Sequence, residues 1–171
     1  MVFSPPIAER ARSTADAFSV RPLTVADAET AQEVIRAAFA AQSRATDPPS
    51  SALRETQASI AAKIEAGGGF GTFSGGRLIA VALWQVDDDA LLIGRVCALP
   101  DERGRGLSRR LIAACESAAR AHGLERMRLR VRLELMENER LFQRMGFVRI
   151  RLEAHPGFDA PTTAVMEKRL S

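Results

Sequence analysis

Residues 103–108 read Arg-Gly-Arg-Gly-Leu-Ser, between an apolar stretch and a long amphipathic one. Gly104 and Gly106 let a ligand lie close on the main chain, because neither carries a Cβ. A helix that opens near Leu107 presents free N–H groups and the positive end of its dipole. Together these features make an anion site, and phosphate is the usual occupant. The dipole alone stabilises a bound charge by about 0.3–1 kcal/mol. Most of the affinity must therefore come from several N–H bonds and from Arg103, Arg105 and Arg109.

Two common phosphate loops do not match. A P-loop needs Lys and Ser/Thr after its last glycine, whereas Leu107 and Ser108 follow Gly106. A dinucleotide-binding fingerprint needs a third glycine, and Arg109 stands in that place. Glu134 could imitate the ribose-binding acid of that fingerprint, but some hundred residues precede the loop and little follows it. The plain alternative is a tight turn with solvated arginines.

A second cluster lies at 126–132, where Arg126, Arg128, Arg130 and Arg132 alternate with Met127, Leu129 and Val131. Such alternation predicts a strand with one packed and one wet face. The arginine face can be solvated, can line a pocket for a carboxylate held bidentately, or can form a subunit interface. Nucleic acid is disfavoured, because no aromatic residues interleave with the arginines.

Hydrophobic periodicity supplies the elements that position these residues. A strand is predicted at 19–24. Asp27 then caps a helix whose apolar face carries Ala31, Val34, Ile35, Ala38 and Phe39. A second helix is predicted from about 51 to 66, stopped by the glycines at 67–69. Strands follow at 69–74, 77–86 and 90–99. After the loop come a helix at 107–122, a strand at 126–134 and a short helix at 137–145. His122 and Gly123 suit the end of the longer helix. The last two strands are 147–154 and 162–170, joined by His-Pro-Gly-Phe-Asp-Ala-Pro. The order β-α-α-β-β-β-α-β-α-β-β predicts one mixed sheet carrying helices, with residues 1–16 a lead-in and 17–171 one domain.

Composition bounds the class. The chain has 171 residues, 46% hydrophobic and 26% charged, which suits a globular domain able to hold a core without staples. Its longest apolar run, 78–84, is too short to span a bilayer. The first residues carry charges early and lack a signal-peptide core, so a cytoplasmic protein without membrane contact is expected. The two cysteines, Cys97 and Cys115, form no metal-binding pattern with histidine, so no metal is expected and the thiols are read as structural. Net charge is +3, and lysine occurs only at 63 and 168. This balance suits a small anionic ligand better than nucleic acid. There is no tyrosine.

Residues 95–112, Arg-Val-Cys-Ala-Leu-Pro-Asp-Glu-Arg-Gly-Arg-Gly-Leu-Ser-Arg-Arg-Leu-Ile, resemble the acetyl-coenzyme A motif of the GNAT N-acetyltransferase superfamily. That motif is an apolar strand, a proline and then Arg/Gln-x-x-Gly-x-Gly/Ala opening a helix. Residues 138–147 are similar to the family's second signature, an Asn, an aromatic residue and Gly-Phe. The spacing of the two signatures and the order of elements from 18 to 170 agree with the same family.

The resemblance implies an α+β fold, the GNAT-like acyl-CoA N-acyltransferase fold. It has a central mixed sheet of about six to seven strands flanked by four helices. It implies acetyl-CoA as co-substrate, its pantetheine arm in a gap between two splayed strands, against Val96, Cys97 and Ala98. The pyrophosphate would lie on the N–H groups of Gly104, Arg105, Gly106, Leu107 and Ser108, with Arg103, Arg105 or Arg109 adding charge. Asn138 would bond the pantetheine or thioester region; its other reading is a cap or first-turn residue. Family members often carry a thiolate-protonating tyrosine where this chain has Phe142, and some carry a glutamate where it has Arg130.

Two catalytic groups are thus absent, and the mechanism must rest on what acetyl transfer needs. A lysine-like amine is almost wholly protonated at neutral pH, and freeing its lone pair costs about 4–5 kcal/mol. A thiolate leaves readily by comparison. Candidate bases are Glu134, at the end of the strand bordering the gap, and His155 and Asp159, in the loop that closes over the acceptor side. Histidine is the type of side chain best matched to proton transfer near neutral pH. The expected function is direct acetyl transfer from acetyl-CoA to a primary amine, on a small-molecule acceptor. The alternative is a non-catalytic acyl-CoA-binding module, a sensor or assembly subunit. A third, weaker alternative is a dinucleotide-binding oxidoreductase fragment. A homodimer is expected, because such sheets leave an edge or face to cover.

Overall fold

The structure is a computed structural model that describes residues 17–171. The expected lead-in at 1–16 lies outside the described residues. Seven strands form one sheet: β1 (Phe18–Pro22), β2 (Gly68–Ser74), β3 (Arg77–Asp87), β4 (Ala90–Ala98), β5 (Arg126–Arg132), β6 (Val148–Glu153) and β7 (Thr163–Arg169). Their spatial order is β1-β2-β3-β4-β5-β7-β6. All neighbours are antiparallel except β4 and β5, which run parallel. The four helices are α1 (Ala28–Ala40), α2 (Gln57–Ala66), α3 (Leu107–Ala121) and α4 (Met136–Gln143). No helix among the described residues is long and apolar enough to cross a membrane.

Two apolar clusters cover opposite faces of the sheet. On one face α1 and α2 bury Ala31, Val34, Ile35, Ile60 and Ile64 against Val81 and Leu83. On the other, Leu107, Leu111 and Cys115 of α3 meet Ile79, Leu91, Met127 and Leu129, with Phe142 and Phe147 completing the layer. The alternation in β5 does as expected: Met127, Leu129 and Val131 are buried on the α3 side, and the arginines occupy the other face.

The expected second helix, 51–66, is broken. Ser50 caps a short 3-10 turn, Ser51–Arg54, by accepting the Ala52 N–H at 3.3 Å. The chain is extended at Glu55 and restarts as α2 only after Thr56. The Thr56 hydroxyl accepts the Ser59 N–H at 3.1 Å, and the Ser59 hydroxyl accepts the Thr56 N–H at 2.9 Å. This reciprocal cap satisfies two main-chain donors and makes 56 a stronger start than 51. The predicted strand 126–134 also ends early, at Arg132. There the Leu135 N–H bonds the Arg132 carbonyl at 3.0 Å and turns the chain out of the sheet.

Phe147 is 1% exposed and meets Phe142 edge to face, ring centroids 5.9 Å apart. Phe147→Ala is expected to lower stability by about 3–5 kcal/mol in urea denaturation, because the emptied volume lies between α4 and the sheet.

Candidate active site

The parallel ladder between β4 and β5 is short. It holds Leu91, Leu92 and Ile93 against Met127, Arg128 and Leu129, and then the strands part. Their departure coincides with a bulge in β4. Val81 pairs with Cys97 but Leu83 with Gly94, so β4 has one residue too many between them. Arg95 takes up that extra length with φ +55°, an uncommon conformation for a side chain with a Cβ. Bulges bend a strand and leave ladder groups unpaired. Here the bend opens a gap between two neighbouring strands of one sheet.

Glu55 anchors the bulge. It is 5% exposed, yet it accepts from Arg95 Nε at 2.9 Å, from Ser59 Oγ at 2.5 Å and from Lys63 Nζ. Arg95 Nη2 also reaches Ser51 Oγ at 2.9 Å. Burial raises the carboxyl's pKa, but the bonds from Lys63, Ser59 and Arg95 outweigh it and hold the group down at about 2. The break in the predicted helix is thus what brings Glu55 beneath β4. Neither Glu55 nor Arg95 was legible as a site residue; the only signal was an acid directly before the Thr56 cap.

A cavity of about 400 Å³ occupies the gap, with Phe39 of α1 and Lys63 of α2 in its wall. Of the residues expected at the site, Val96, Asn138, Phe142 and His155 line it. Cys97 does not; it packs in the α1–α2 cluster, and burial pushes its thiol up to about 12. Ala98 is paired with Ala80 below the gap. Asn138 lies in the first turn of α4, as its alternative reading had it, and its side chain also faces the cavity.

His155 Nδ1 meets Thr162 Oγ1 at 2.5 Å. The same oxygen accepts the His155 main-chain N–H at 3.0 Å and faces the Glu153 carbonyl at 3.5 Å. Asp159 is exposed and is not on the cavity wall. Glu134 is also off the wall. It sits in the turn after β5, its Oε1 takes the Asp47 N–H at 3.1 Å, and its Oε2 lies 3.5 Å from Arg132 Nε. Burial raises its pKa, but the Asp47 N–H and Arg132 hold it below the usual carboxylate value. A depressed carboxylate is a weak base, so Glu134 is better placed to fix loop 41–50 than to take a proton.

The 103–108 loop has the backbone geometry that an anion cradle needs. Gly104 and Gly106 have φ +78° and +75°, and a Cβ at either would meet nothing. The glycines therefore serve the backbone turn and leave open space above it. The first helical bond of α3 runs from the Arg110 N–H to the Gly106 carbonyl at 3.3 Å. The N–H groups of Leu107, Ser108 and Arg109 accordingly have no helical acceptor. The arginines divide their work. Arg103 donates to the Ala38 and Ala41 carbonyls at 2.9 and 3.0 Å and so closes the end of α1. Arg105 bonds Glu102 and lies 4.6 Å over the Phe18 ring. Arg109 is exposed on the first turn.

Residues 32–147 match the model of the acetyltransferase (GNAT) family, and the chain belongs to that family. No curated protein matches it. Solved structures agree in fold. The N-acetyltransferase PaiA from Thermoplasma acidophilum, in complex with coenzyme A, shares 19% identity over 90% of this chain and 99% of its own, with TM-score 0.72. The ribosomal-protein-S18-alanine N-acetyltransferase from Escherichia coli shares 20% identity over 90% and 94%, with TM-score 0.72. The putative acetyltransferase YncA from Salmonella typhimurium, with acetyl-CoA, shares 18% identity over 91% and 95%, with TM-score 0.71. The seven-stranded mixed sheet with four helices is the GNAT fold.

The Glu55 cluster gives a signed prediction. A carboxyl held at about 2 when folded contributes stability above its unfolded pKa and loses it as pH falls toward the folded value. Glu55→Gln is expected to destabilise the protein by about 2–3 kcal/mol at pH 7. The difference from wild type should shrink between roughly pH 4 and pH 2, as followed by urea titration at each pH.

Proposed function

We propose that the chain is an acetyl-CoA-dependent N-acetyltransferase that acetylates a primary amine of a small molecule, acting as a single domain over residues 17–171. The observation that carries the reading is the junction of the 104–109 cradle with the β4–β5 gap. The first suits a pyrophosphate, and the second suits an extended arm that pairs with main-chain groups. The fit rests on this chain's own features: open space above two glycines, three N–H groups without helical acceptors, and a bulged strand with unpaired ladder positions. The thioester supplies the acetyl group, which goes directly to the amine nitrogen as the thiolate departs.

The remaining work falls to positioning and proton handling. Holding an amine and an acyl group in attack geometry is worth about 7–11 kcal/mol in favourable cases. Main-chain N–H groups of the bulged β4 segment suit a developing oxyanion. Asn138 and Phe142 border the same space, the first as a hydrogen-bonding group and the second as apolar packing. His155 takes the amine proton. With the Thr162 hydroxyl proton directed at the Glu153 carbonyl, Nδ1 donates to Thr162 Oγ1 and Nε2 is left as the base. A homodimer is part of the proposal: β6 is one of the two edge strands of the sheet and exposes Val148, Ile150 and Leu152, and sedimentation equilibrium tests it.

Calorimetric titration with acetyl-CoA tests the donor. Gly106→Glu should abolish binding, because a carboxylate would stand where the pyrophosphate lies and would strain a backbone at φ +75°. Equal binding by the variant, or none by wild type, would refute the cradle. His155→Ala is expected to lower kcat by on the order of 100-fold or more with unchanged acetyl-CoA affinity, measured by thiol release.

A further inference from the structure

The four arginines of β5 are not equivalent. Arg126 bonds Asp89, Arg128 bonds Glu167 and Asp89, and Arg130 donates to Glu153 at 3.0 Å. Arg132 is the exception. Its side chain is only 14% exposed, and its one charged neighbour is Glu134, 3.5 Å from Nε. That approach does not form a hydrogen bond: Nε and Nη2 of Arg132 are buried without a partner among the described residues. A buried guanidinium offset by a single ion pair at 3.5 Å is costly, because its donors have lost water without gaining a hydrogen bond.

Glu134 Oε2 is likewise buried without a hydrogen bond, and a further orphan stands beside Arg132. Thr163 is the ladder partner of Arg132 on β7, so the two side chains rise from the same face of the sheet. Thr163 is 5% exposed, and its hydroxyl has no hydrogen-bond partner either. Both residues line the cavity. The charges around them are one-sided. Lys63, Arg95, Arg130 and Arg132 all contribute to the wall, and no carboxylate does. Three acids, Glu55, Glu134 and Glu153, pair with these four cations from outside it.

We infer that Arg132 and Thr163 form the docking point for a carboxylate on the acceptor, so that the enzyme acetylates a small amino acid-like amine rather than a polyamine or a neutral amine. The inference rests on the transferase reading and names its substrate class. A guanidinium offers a planar fork that matches two carboxylate oxygens, and the threonine hydroxyl adds a third donor. Glu134 is a positioning residue: it pairs with Arg132 at Nε and, by accepting the Asp47 N–H, ties loop 41–50 to the end of β5. Ser43 adds a second tie by bonding Glu137. A wall without carboxylates has nothing to attract a second ammonium group, which disfavours diamines.

The test compares acids with their neutral counterparts. Common α-amino acids would be assayed beside their carboxamides, and ω-amino acids of three to six carbons beside the corresponding diamines, with thiol release from acetyl-CoA as readout. At least one acid should exceed its counterpart in kcat/KM by about 10- to 100-fold, the span expected for a charge-assisted bond. Arg132→Gln should reduce that ratio toward one while acetyl-CoA affinity stays unchanged. Thr163→Val, which conserves shape, should reduce it by a smaller factor, and Arg126→Gln on the outer part of β5 should leave it intact. Calorimetry of the preferred acid without coenzyme separates the two readings. Arg132-dependent binding of the acid would support the carboxylate site even if acetyl-CoA failed to bind and the transferase reading fell. Carboxamides or diamines used as well as the acids, or a ratio that survives both Arg132→Gln and Thr163→Val, would overturn the inference, as would a wild-type protein that binds acetyl-CoA yet neither binds nor acetylates any acid.

Discussion

Everything at the site depends on the parting of β4 from β5. Two parallel strands with continuous pairing would leave no room between them and no free ladder groups. Here pairing stops after Ile93 and Leu129, where β4 takes up one extra residue. A bulge of this kind does not persist by itself, since Arg95 sits at positive φ and such conformations survive when their surroundings determine them. The determinant is Glu55, a nearly buried carboxylate with three donors around it. The gap is therefore held open from the helix side of the sheet, by an ion cluster that no apolar packing could replace without releasing Arg95.

The same economy of charge explains the basic surface. An exposed row of arginines on one strand would repel itself and bind anions indiscriminately. Instead β7, the turn at Asp89 and β6 present acids to it, one after another, until the row reaches the cavity. Exposed pairs of this kind stabilise weakly. Their stronger effect is on specificity: they neutralise the outer part of β5 and leave Arg132 as the arginine whose donors are unmet. In the proposed docking, local neutrality outside and a guanidinium with unmet hydrogen bonds inside direct an anionic substrate to one place.

Much of this was legible in the sequence because it rests on local rules. Helix periodicity gave α1 and α3 nearly to their ends, and the glycines at 104 and 106 marked the turn that opens α3. The strict alternation at 126–132 gave the buried and polar faces of β5. What failed was long-range. The break at Glu55 follows from a tertiary partner forty residues away, Arg95, which no window over 51–66 contains. Arg103 adjoins the loop in sequence, and its guanidinium bonds the carbonyls at the end of α1, a tie that no local window contains. Glu134 looked like a strand end facing the gap, and a single turn bond at Leu135 moves it off the wall. The difference between the surface and pocket readings of the arginine row depends on Asp89, Glu153 and Glu167, none of them near β5 in the chain.

The thiols bear on the route of the acetyl group. A relay through the protein would need a nucleophile at the gap, and Cys97 on β4 is the residue that adjoins it in the chain. Burial dominates its environment and pushes the thiol up to about 12, although Arg95 and Arg103 pull in the other direction. At neutral pH almost none of it is thiolate, and the thiolate is the reactive form. Cys97 also packs away from the cavity, among the residues beneath α1 and α2. Cys115 lies deeper still, on the buried face of α3, with its thiol likewise raised to about 12. These environments disfavour an acetyl-cysteine intermediate and support direct transfer. In that route the amine must be presented to the donor by its own substrate's anchoring groups, which is why a guanidinium with unmet hydrogen bonds on the cavity wall matters to the proposed chemistry.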